Sequence, residues 1–338
     1  MSLLCCPRCK GSLTVSSDSF GCAQCDAAYP TVLGIPDFRV YADPLISIAD
    51  DFRKAEKLEA QAASLSFSEL VRYYWSLPTF PDTPPDLRQH FIDHVLSDEA
   101  RVATYIGNVG QGFAFLDVGC GTAALTTAAS ARFDVAVGCD VAFRWLIVAR
   151  KRLQEAGRAV NLVCCCADYL PFKDDVFDTV ASVSLLEHVS DAAAVVRESG
   201  RVLKARGQFF CLTTNRFSLA PEPHVRVWGV GFLPRAWMAR YVRFRRGLAY
   251  EKKRPLSYFE LRRLVRAAGL GAIRASLPRV TALDLRGRSR LERLGARILN
   301  ALADHPRPAR PCVLVAPVIQ LTAEKGNTYS PSDGAARP

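Results

Sequence analysis

The sequence predicts an α/β protein: a doubly wound domain built on a mostly parallel sheet, preceded by a small cysteine-rich module. Strand-sized apolar runs alternate with helical stretches from Gly112 to Thr213, the pattern of a sheet with helices on both faces. A glycine-containing turn, Gly119-Cys120-Gly121, follows the first of these runs and opens into an alanine-rich stretch. Two Cys-x-x-Cys pairs stand near the start of the chain.

At 338 residues the chain can hold two cored domains, and 49% apolar with 23% charged residues excludes a disordered or collagen-like chain. No apolar run reaches the roughly 18 residues that cross a bilayer. The start, Met1 to Cys5, has neither the basic flank nor the apolar stretch of a secretion signal, so a cytoplasmic location is expected. The net charge of +11 is uneven: residues 226–310 hold 21 Lys and Arg against 5 Asp and Glu, while the rest of the chain is slightly acidic. Peripheral contact with the inner face of a membrane is one way to use such a field.

The module comes first. Cys6-Pro7-Arg8-Cys9 is followed twelve residues later by Cys22-Ala23-Gln24-Cys25. Two turns that each present a thiolate pair close a tetrahedral site, so Cys6, Cys9, Cys22 and Cys25 are expected to hold a structural Zn²⁺. Cys5 is an alternative to Cys6, which alone gives the two-residue spacer. The other cysteines, Cys120, Cys139, Cys164, Cys165, Cys166, Cys211 and Cys312, lie in or beside apolar runs and are expected as small core residues. Cys6-Pro7-Arg8-Cys9-Lys10-Gly11-Ser12-Leu13, continued by Tyr29-Pro30 and Gly34-Ile35-Pro36, resembles the Trm112-like zinc ribbon. That resemblance implies a module that supports a methyltransferase, as a fused domain or a separate partner.

Residues 41–110 read as a helical linker or cap. Charged and apolar residues alternate at helical spacing from Ile46 to Leu65, and the Pro-rich stretch 78–85 separates two helices. His90 and His94 are an i, i+4 pair, a spacing that also occurs in metal sites, with no carboxylate companion evident in the sequence. A packing segment along one edge of the main domain is the expectation.

In the main domain the expected strands are Phe113–Val118, Val135–Cys139, Asn161–Cys166, Phe177–Leu185 and Gly207–Thr213, with helices over Ala124–Arg132 and Phe143–Ala156. Ligands of such sheets sit at the carboxyl ends of the strands, where glycines let the backbone come close and an acid after the second strand can take ribose hydroxyls. The turn, Asp140 at the end of the second strand and Asp168 after the third stand in register. Leu116-Asp117-Val118-Gly119-Cys120-Gly121-Thr122, Ala167-Asp168-Tyr169-Leu170-Pro171-Phe172 and Leu186-Glu187-His188-Val189 together resemble the class I S-adenosylmethionine-dependent methyltransferases, in the subgroup that includes quinone-methylating enzymes. Ala123 stands where a third glycine is usual.

The resemblance implies a Rossmann-like, seven-stranded sheet, with a last strand near Cys312–Leu321. It also implies S-adenosyl-L-methionine as cofactor, with Asp117, Gly119, Cys120 and Gly121 at its amino-acid end, Asp140 on the ribose, and Asp168 with Tyr169 at the adenine. His188 and His224 follow the fourth and fifth strands and are the candidate general bases.

Residues 225–310 read as a long insertion in which Trp228, Phe232, Trp237, Tyr241, Phe244 and Tyr250 are interleaved with arginines. A lid with a solvated basic face, a membrane-facing surface and an RNA-binding surface are the three readings. The expected organisation is a zinc ribbon over 1–40, a helical linker over 41–110, a methyltransferase domain over 111–325 and a disordered tail over 326–338. The expected activity is methyl transfer, at oxygen, to a small-molecule or lipid-linked acceptor. The alternatives are an RNA methyltransferase and a non-catalytic zinc-ribbon adaptor; the sequence leaves the oligomeric state open.

Overall fold

The computed structural model describes residues 3–77, 83–285, 289–305 and 311–326. After the first cysteine pair the chain folds into a small antiparallel sheet of four strands in sequence order: β1 (Thr14–Val15), β2 (Ser19–Cys22), β3 (Ala27–Val32) and β4 (Ile35–Pro36). Too short to bury a core alone, this sheet turns Phe20, Tyr29 and Phe38 into one aromatic cluster, which is continuous with the core of the main domain.

The module is clamped to that domain at two places. Cys5 N–H donates to the Pro171 carbonyl and Lys173 N–H to that of Leu3. Beyond β4, Asp37 pairs in parallel with Cys164, and Phe38 N–H donates to the Cys164 carbonyl. Lys10, with φ of 61°, reaches across to Glu198 at 2.7 Å.

Four helices follow: α1 (Ile48–Ala62), α2 (Phe67–Ser76), α3 (Pro85–Leu96) and α4 (Asp98–Tyr105). Ser47 caps α1, a reciprocal Ser66–Glu69 capping box starts α2, and proline opens α3. The Pro-rich break falls partly on residues 78–82, outside the described residues. Leu58, Leu70, Val71 and Tyr74 pack in one cluster with Phe143, Leu146 and Ile147, so the segment covers a helix of the main domain.

The main sheet has seven strands: β5 (Gly112–Val118), β6 (Phe133–Asp140), β7 (Asn161–Cys164), β8 (Phe177–Val183), β9 (Leu203–Thr214), β10 (Leu270–Ser276) and β11 (Val318–Lys325), in the order β10-β11-β9-β8-β5-β6-β7. Strands β5 to β9 are parallel, and β11 runs antiparallel to both β9 and β10. Buried on both faces, the central strands read as apolar runs such as Phe115-Leu116 and Val180-Ala181. The crossovers are α5 (Ala124–Ala129), α6 (Phe143–Glu155), α7 (Ala192–Val202) and α9 (Tyr258–Ala267).

Two features depart from the sequence reading. The basic stretch 225–310 is not one insertion, because β10 lies inside it and joins the sheet edge. Helix α8 (Arg235–Arg246) precedes that strand and α10 (Arg290–Ala303) follows it. The last strand starts at Val318 rather than Cys312: the Asn215 side-chain amide donates to the carbonyls of Val313, Leu314 and Ala316, diverting them from a ladder. Cys312 is only half-buried, unlike the other six cysteines placed in the core, which are fully buried. Of the expected tail, residues 327–338 lie outside the described residues.

Candidate active site

The carboxyl ends of β5, β6, β7, β8 and β9 open toward one edge of the sheet, and the residues singled out in the sequence stand there. After β5 the chain turns through Gly119 and Gly121 into α5. Gly119 has φ of 76°, and a Cβ there would lie 2.8 Å from the Leu185 side chain, so only glycine fits the turn. Ala123 also holds a left-handed conformation, φ 59°, at the position where the family motif carries a third glycine. Cys120 is buried beneath the turn.

Two carboxylates flank this turn. Asp117, within β5, is buried and accepts from the Thr126 hydroxyl at 2.7 Å. Burial raises its carboxyl to about 7. Asp140, at the end of β6, accepts from Gly121 N–H at 2.9 Å and from Ala142 N–H at 2.8 Å, which fixes both the glycine turn and the entry to α6. Burial raises its carboxyl too. Neither acid forms an ion pair among the described residues; backbone N–H groups and the Thr126 hydroxyl are their partners.

The sequence did not reveal what holds the Asp140 turn in place. Asp51 of α1 accepts from the N–H groups of Phe143 and Arg144 and so caps α6 from outside it. Arg39, in the segment after β4, pairs with Asp37 and Asp51, each at 2.7 Å; Arg144 pairs with Asp43 at 2.8 Å and Asp51 at 2.9 Å. All five side chains are buried. Breaking one such pair strands its partner's charge, at a cost of about 3–5 kcal/mol. These residues lie between 37 and 144, too far apart for spacing to connect them.

Asp168 and Tyr169 occupy the loop after β7, the same loop that the cysteine module grips at residues 164–173. The Tyr41 hydroxyl donates to Asp168, and the Tyr41 and Tyr169 rings meet edge to face with centroids 6.2 Å apart. Tyr41 is a further candidate at this loop that the sequence reading missed.

After β8 and β9 the site changes character. The imidazoles of His188 and His224 meet at right angles, with Nε2 atoms 3.1 Å apart. Glu222 Oε1 lies 2.6 Å from His224 Nδ1, and Lys253 Nζ lies 2.6 Å from His188 Nδ1. One proton arrangement satisfies the chain with both rings neutral. Lys253 donates to His188 Nδ1, His188 Nε2–H donates to His224 Nε2, and His224 Nδ1–H donates to the Glu222 carboxylate. Burial, and then the Lys253 charge, lower His188 to about 3, in keeping with a neutral ring.

Glu187 is buried beside this chain and accepts from the Thr213 and Thr214 hydroxyls at 2.7 and 2.8 Å. A Glu187 oxygen and one nitrogen of each imidazole lie within 4.8 Å of one another, but the hydrogen bonds just described already engage these atoms. The His90 and His94 rings lie 6.4 Å apart on α3 and are not part of this cluster.

At the other end of the chain, ligand atoms of Cys6, Cys9, Cys22 and Cys25 all lie within 4.8 Å of one another. The Cys6 and Cys25 sulfurs are 3.5 Å apart, and those of Cys9 and Cys22 are 3.4 Å apart. A tetrahedral zinc with Zn–S bonds of about 2.3 Å sets its sulfurs about 3.8 Å apart, so the four thiols fit that ion with a small adjustment. Cys5 is outside the group, its N–H bonded to Pro171.

Comparison with known proteins shows what this part of the chain is similar to. Residues 116–211 match the family model of the methyltransferase domain. The chain is 34% identical over 119 residues to the ubiquinone biosynthesis O-methyltransferase of Idiomarina loihiensis, covering 35% of this chain and 46% of that protein. It is 30% identical over 156 residues to the enzyme of the same name from Nitrosomonas europaea, covering 44% and 61%. A demethylmenaquinone methyltransferase of Bacillus velezensis is 37% identical over 115 residues, covering 33% and 49%. The chain thus spans about half the length of the curated relatives it matches. Among solved structures, a phosphoethanolamine N-methyltransferase of Haemonchus contortus aligns at 17% identity with a TM-score of 0.46, covering 68% of this chain and 53% of that one. Over residues 116–211 the sheet thus carries a stretch that matches the methyltransferase-domain model, and a cysteine-bearing antiparallel sheet stands in front of it.

Proposed function

We propose that the protein transfers a methyl group from S-adenosyl-L-methionine to an oxygen of a small-molecule or lipid-linked acceptor, with a quinone-type ring as the acceptor class that the relatives suggest. The observation that carries the cofactor reading is the pair Asp117 and Asp140. They stand at adjacent strand ends, where Asp117 suits a ligand that brings an ammonium and Asp140 suits hydroxyl donors. In this reading Asp117, Gly119, Cys120 and Gly121 receive the amino-acid end, Asp140 takes the ribose hydroxyls, and Asp168 with Tyr169 takes the adenine. The cofactor supplies an activated methyl group.

The chain's own residues then align the acceptor and remove its proton. His224 is the base: Glu222 fixes its Nδ1–H, leaving the Nε2 lone pair to take the acceptor's hydroxyl proton in place of the His188 proton. Glu222 then faces the imidazolium that forms. His188, held by Lys253, lines the same position. The four thiols bind zinc, and the ribbon so formed braces the Asp168 loop through Cys5, Lys10, Phe38 and Tyr41.

The test uses the purified protein, methyl-labelled S-adenosylmethionine and a fractionated cell lysate. Label is expected in the organic-extractable or small-molecule fraction, and it should be lost with His224→Ala. Label found in nuclease-sensitive material instead would replace this reading with methylation of RNA.

A further inference from the structure

The two helices on either side of β10 expose apolar side chains that nothing among the described residues covers. On α10, Leu291, Leu294 and Ile298 recur at i, i+3 and i+7, one face of the helix, and Leu291 is 80% exposed. Arg290, Arg293 and Arg297 recur with the same period beside them, all exposed. The opposite side of the helix is the one that packs: Ala296 is buried, and Leu299 and Ala303 join the cluster of Leu277, Val313 and Ala316. The capping box of Ser289 and Glu292 starts the helix without help from the exposed face.

Helix α8 repeats the arrangement. Met238 and Val242 pack inward, while Trp237 and Phe244 point outward, Phe244 at 86% exposure. Arg240 lies between them on the same face, and Arg245 follows. Other arginines nearby are neutralised, Arg235 by Glu260, Arg243 by Glu251 and Arg246 by Asp86. Arg240, Arg245, Arg290, Arg293 and Arg297 form no ion pair among the described residues.

We propose that the α10 face docks on an anionic lipid bilayer, with the α8 face as a second lipid contact, while the protein stays peripheral. An apolar stripe rimmed by unpaired arginines matches such a surface in both of its components: aliphatic and aromatic side chains enter the acyl boundary, and guanidinium groups meet headgroup phosphates. Among the described residues no helix is long and apolar enough to cross a membrane, so the contact is to one leaflet.

Two other occupants fit less well. A nucleic acid would use the arginines and could stack on Trp237 and Phe244, but it has no use for Leu291, Leu294 and Ile298, which carry no ring and no hydrogen-bonding group. A second copy packed on the same face would bring the arginine rows of two α10 helices toward each other with only Glu292, a half-buried side chain, to offset them. The inference does not depend on the proposed activity, because a bilayer would hold this surface whether or not methyl transfer occurs.

The test is co-sedimentation of the full chain with vesicles of phosphatidylcholine alone, or of phosphatidylcholine with about one third phosphatidylglycerol, followed across salt concentration. The wild-type protein is expected in the pellet with the anionic vesicles and in the supernatant with the neutral ones. Binding should fall steeply as salt rises. Leu294→Glu with Ile298→Glu, and separately Trp237→Ala with Phe244→Ala, alter only exposed positions. Each pair is expected to weaken vesicle binding at least about tenfold, since each loses two apolar contacts with the bilayer, with an unchanged thermal melt. Three results would overturn the proposal: no binding by folded wild-type protein, equal binding by the Leu294→Glu/Ile298→Glu variant, or binding abolished by nuclease treatment. Vesicle binding without methyl transfer would leave this surface standing and count against the activity alone.

Discussion

Around β5, β6 and β7 the site is made of backbone turns and carboxylates that each stand within a few residues of their own strand. Around β8 and β9 it is made of side chains gathered from Glu187, His188, Glu222, His224 and Lys253, a span of more than sixty residues. The first half is acidic, with Asp117 and Asp140 both buried and both raised by that burial. The second is a closed hydrogen-bond chain in which each group already has its partner. The first half ties its acids to local backbone and hydroxyl donors, whereas the second links its side chains to one another.

A large expected effect concerns what holds the first half in place. The cysteine module grips the Asp168 loop at Pro171 and Cys164 and through Lys10, so in the proposed reading loss of its zinc acts at a distance on cofactor binding. One zinc per chain is expected by metal analysis. Treatment with a strong chelator should melt the small sheet and weaken S-adenosylmethionine binding about tenfold or more, as in other small domains whose metal supplies the folding energy. Metal-free protein that binds the cofactor normally would show that the two parts are independent.

A change at Asp117 separates stability from function within the same half. Its folded carboxyl is raised to about 7, so the folded chain prefers the neutral acid. The stability this contributes is complete below about pH 4 and lost as pH rises through about 7. Asp117→Asn keeps an acceptor for Thr126 and removes that loss. At pH 8 the variant is expected to be more stable than wild type by roughly 2 kcal/mol, with a flatter dependence of melting temperature on pH. Its cofactor affinity should fall about tenfold. A variant that is both less stable and fully competent would contradict the assignment of this acid.

How much was legible in advance follows the same division. The turn at Gly119, Asp140 and Asp168, and the four thiols, announce themselves by local spacing, because a strand end, a tight turn or a two-residue thiolate spacer is a property of neighbouring residues. Strands β5 to β9 of the main sheet were readable for the same reason, each being an apolar run between polar breaks. Strand β10 was not: Leu270-Gly271-Ala272-Ile273-Arg274-Ala275-Ser276 lies at the sheet edge, with Arg274 and two small residues on its exposed side, so it lacks the apolar density of a central strand. The Arg39–Asp51–Arg144 network, Tyr41, Glu222 and Lys253 were equally hidden, since each gains its meaning only from partners brought together by the fold. His188 and His224 could be proposed from their strand ends, but their contact could not.

The smallest expected effect tests a single backbone position. Ala123 sits at φ 59° where the family motif carries glycine, a conformation that costs an alanine about 1 kcal/mol. Ala123→Gly is expected to raise stability by up to about 1 kcal/mol in denaturant unfolding, with cofactor affinity unchanged. A destabilised variant would mean that the alanine methyl group packs in a way that outweighs the strain.

The most direct test of the division is calorimetric titration of S-adenosylmethionine into the purified wild-type protein, Asp140→Ala and His224→Ala. One cofactor per chain is expected for wild type and for His224→Ala. In Asp140→Ala, where the proposed ribose acceptor is lost and the Gly121 turn is left unpinned, binding should weaken about 100-fold. Undiminished binding by Asp140→Ala, or loss of binding in His224→Ala alone, would contradict the account.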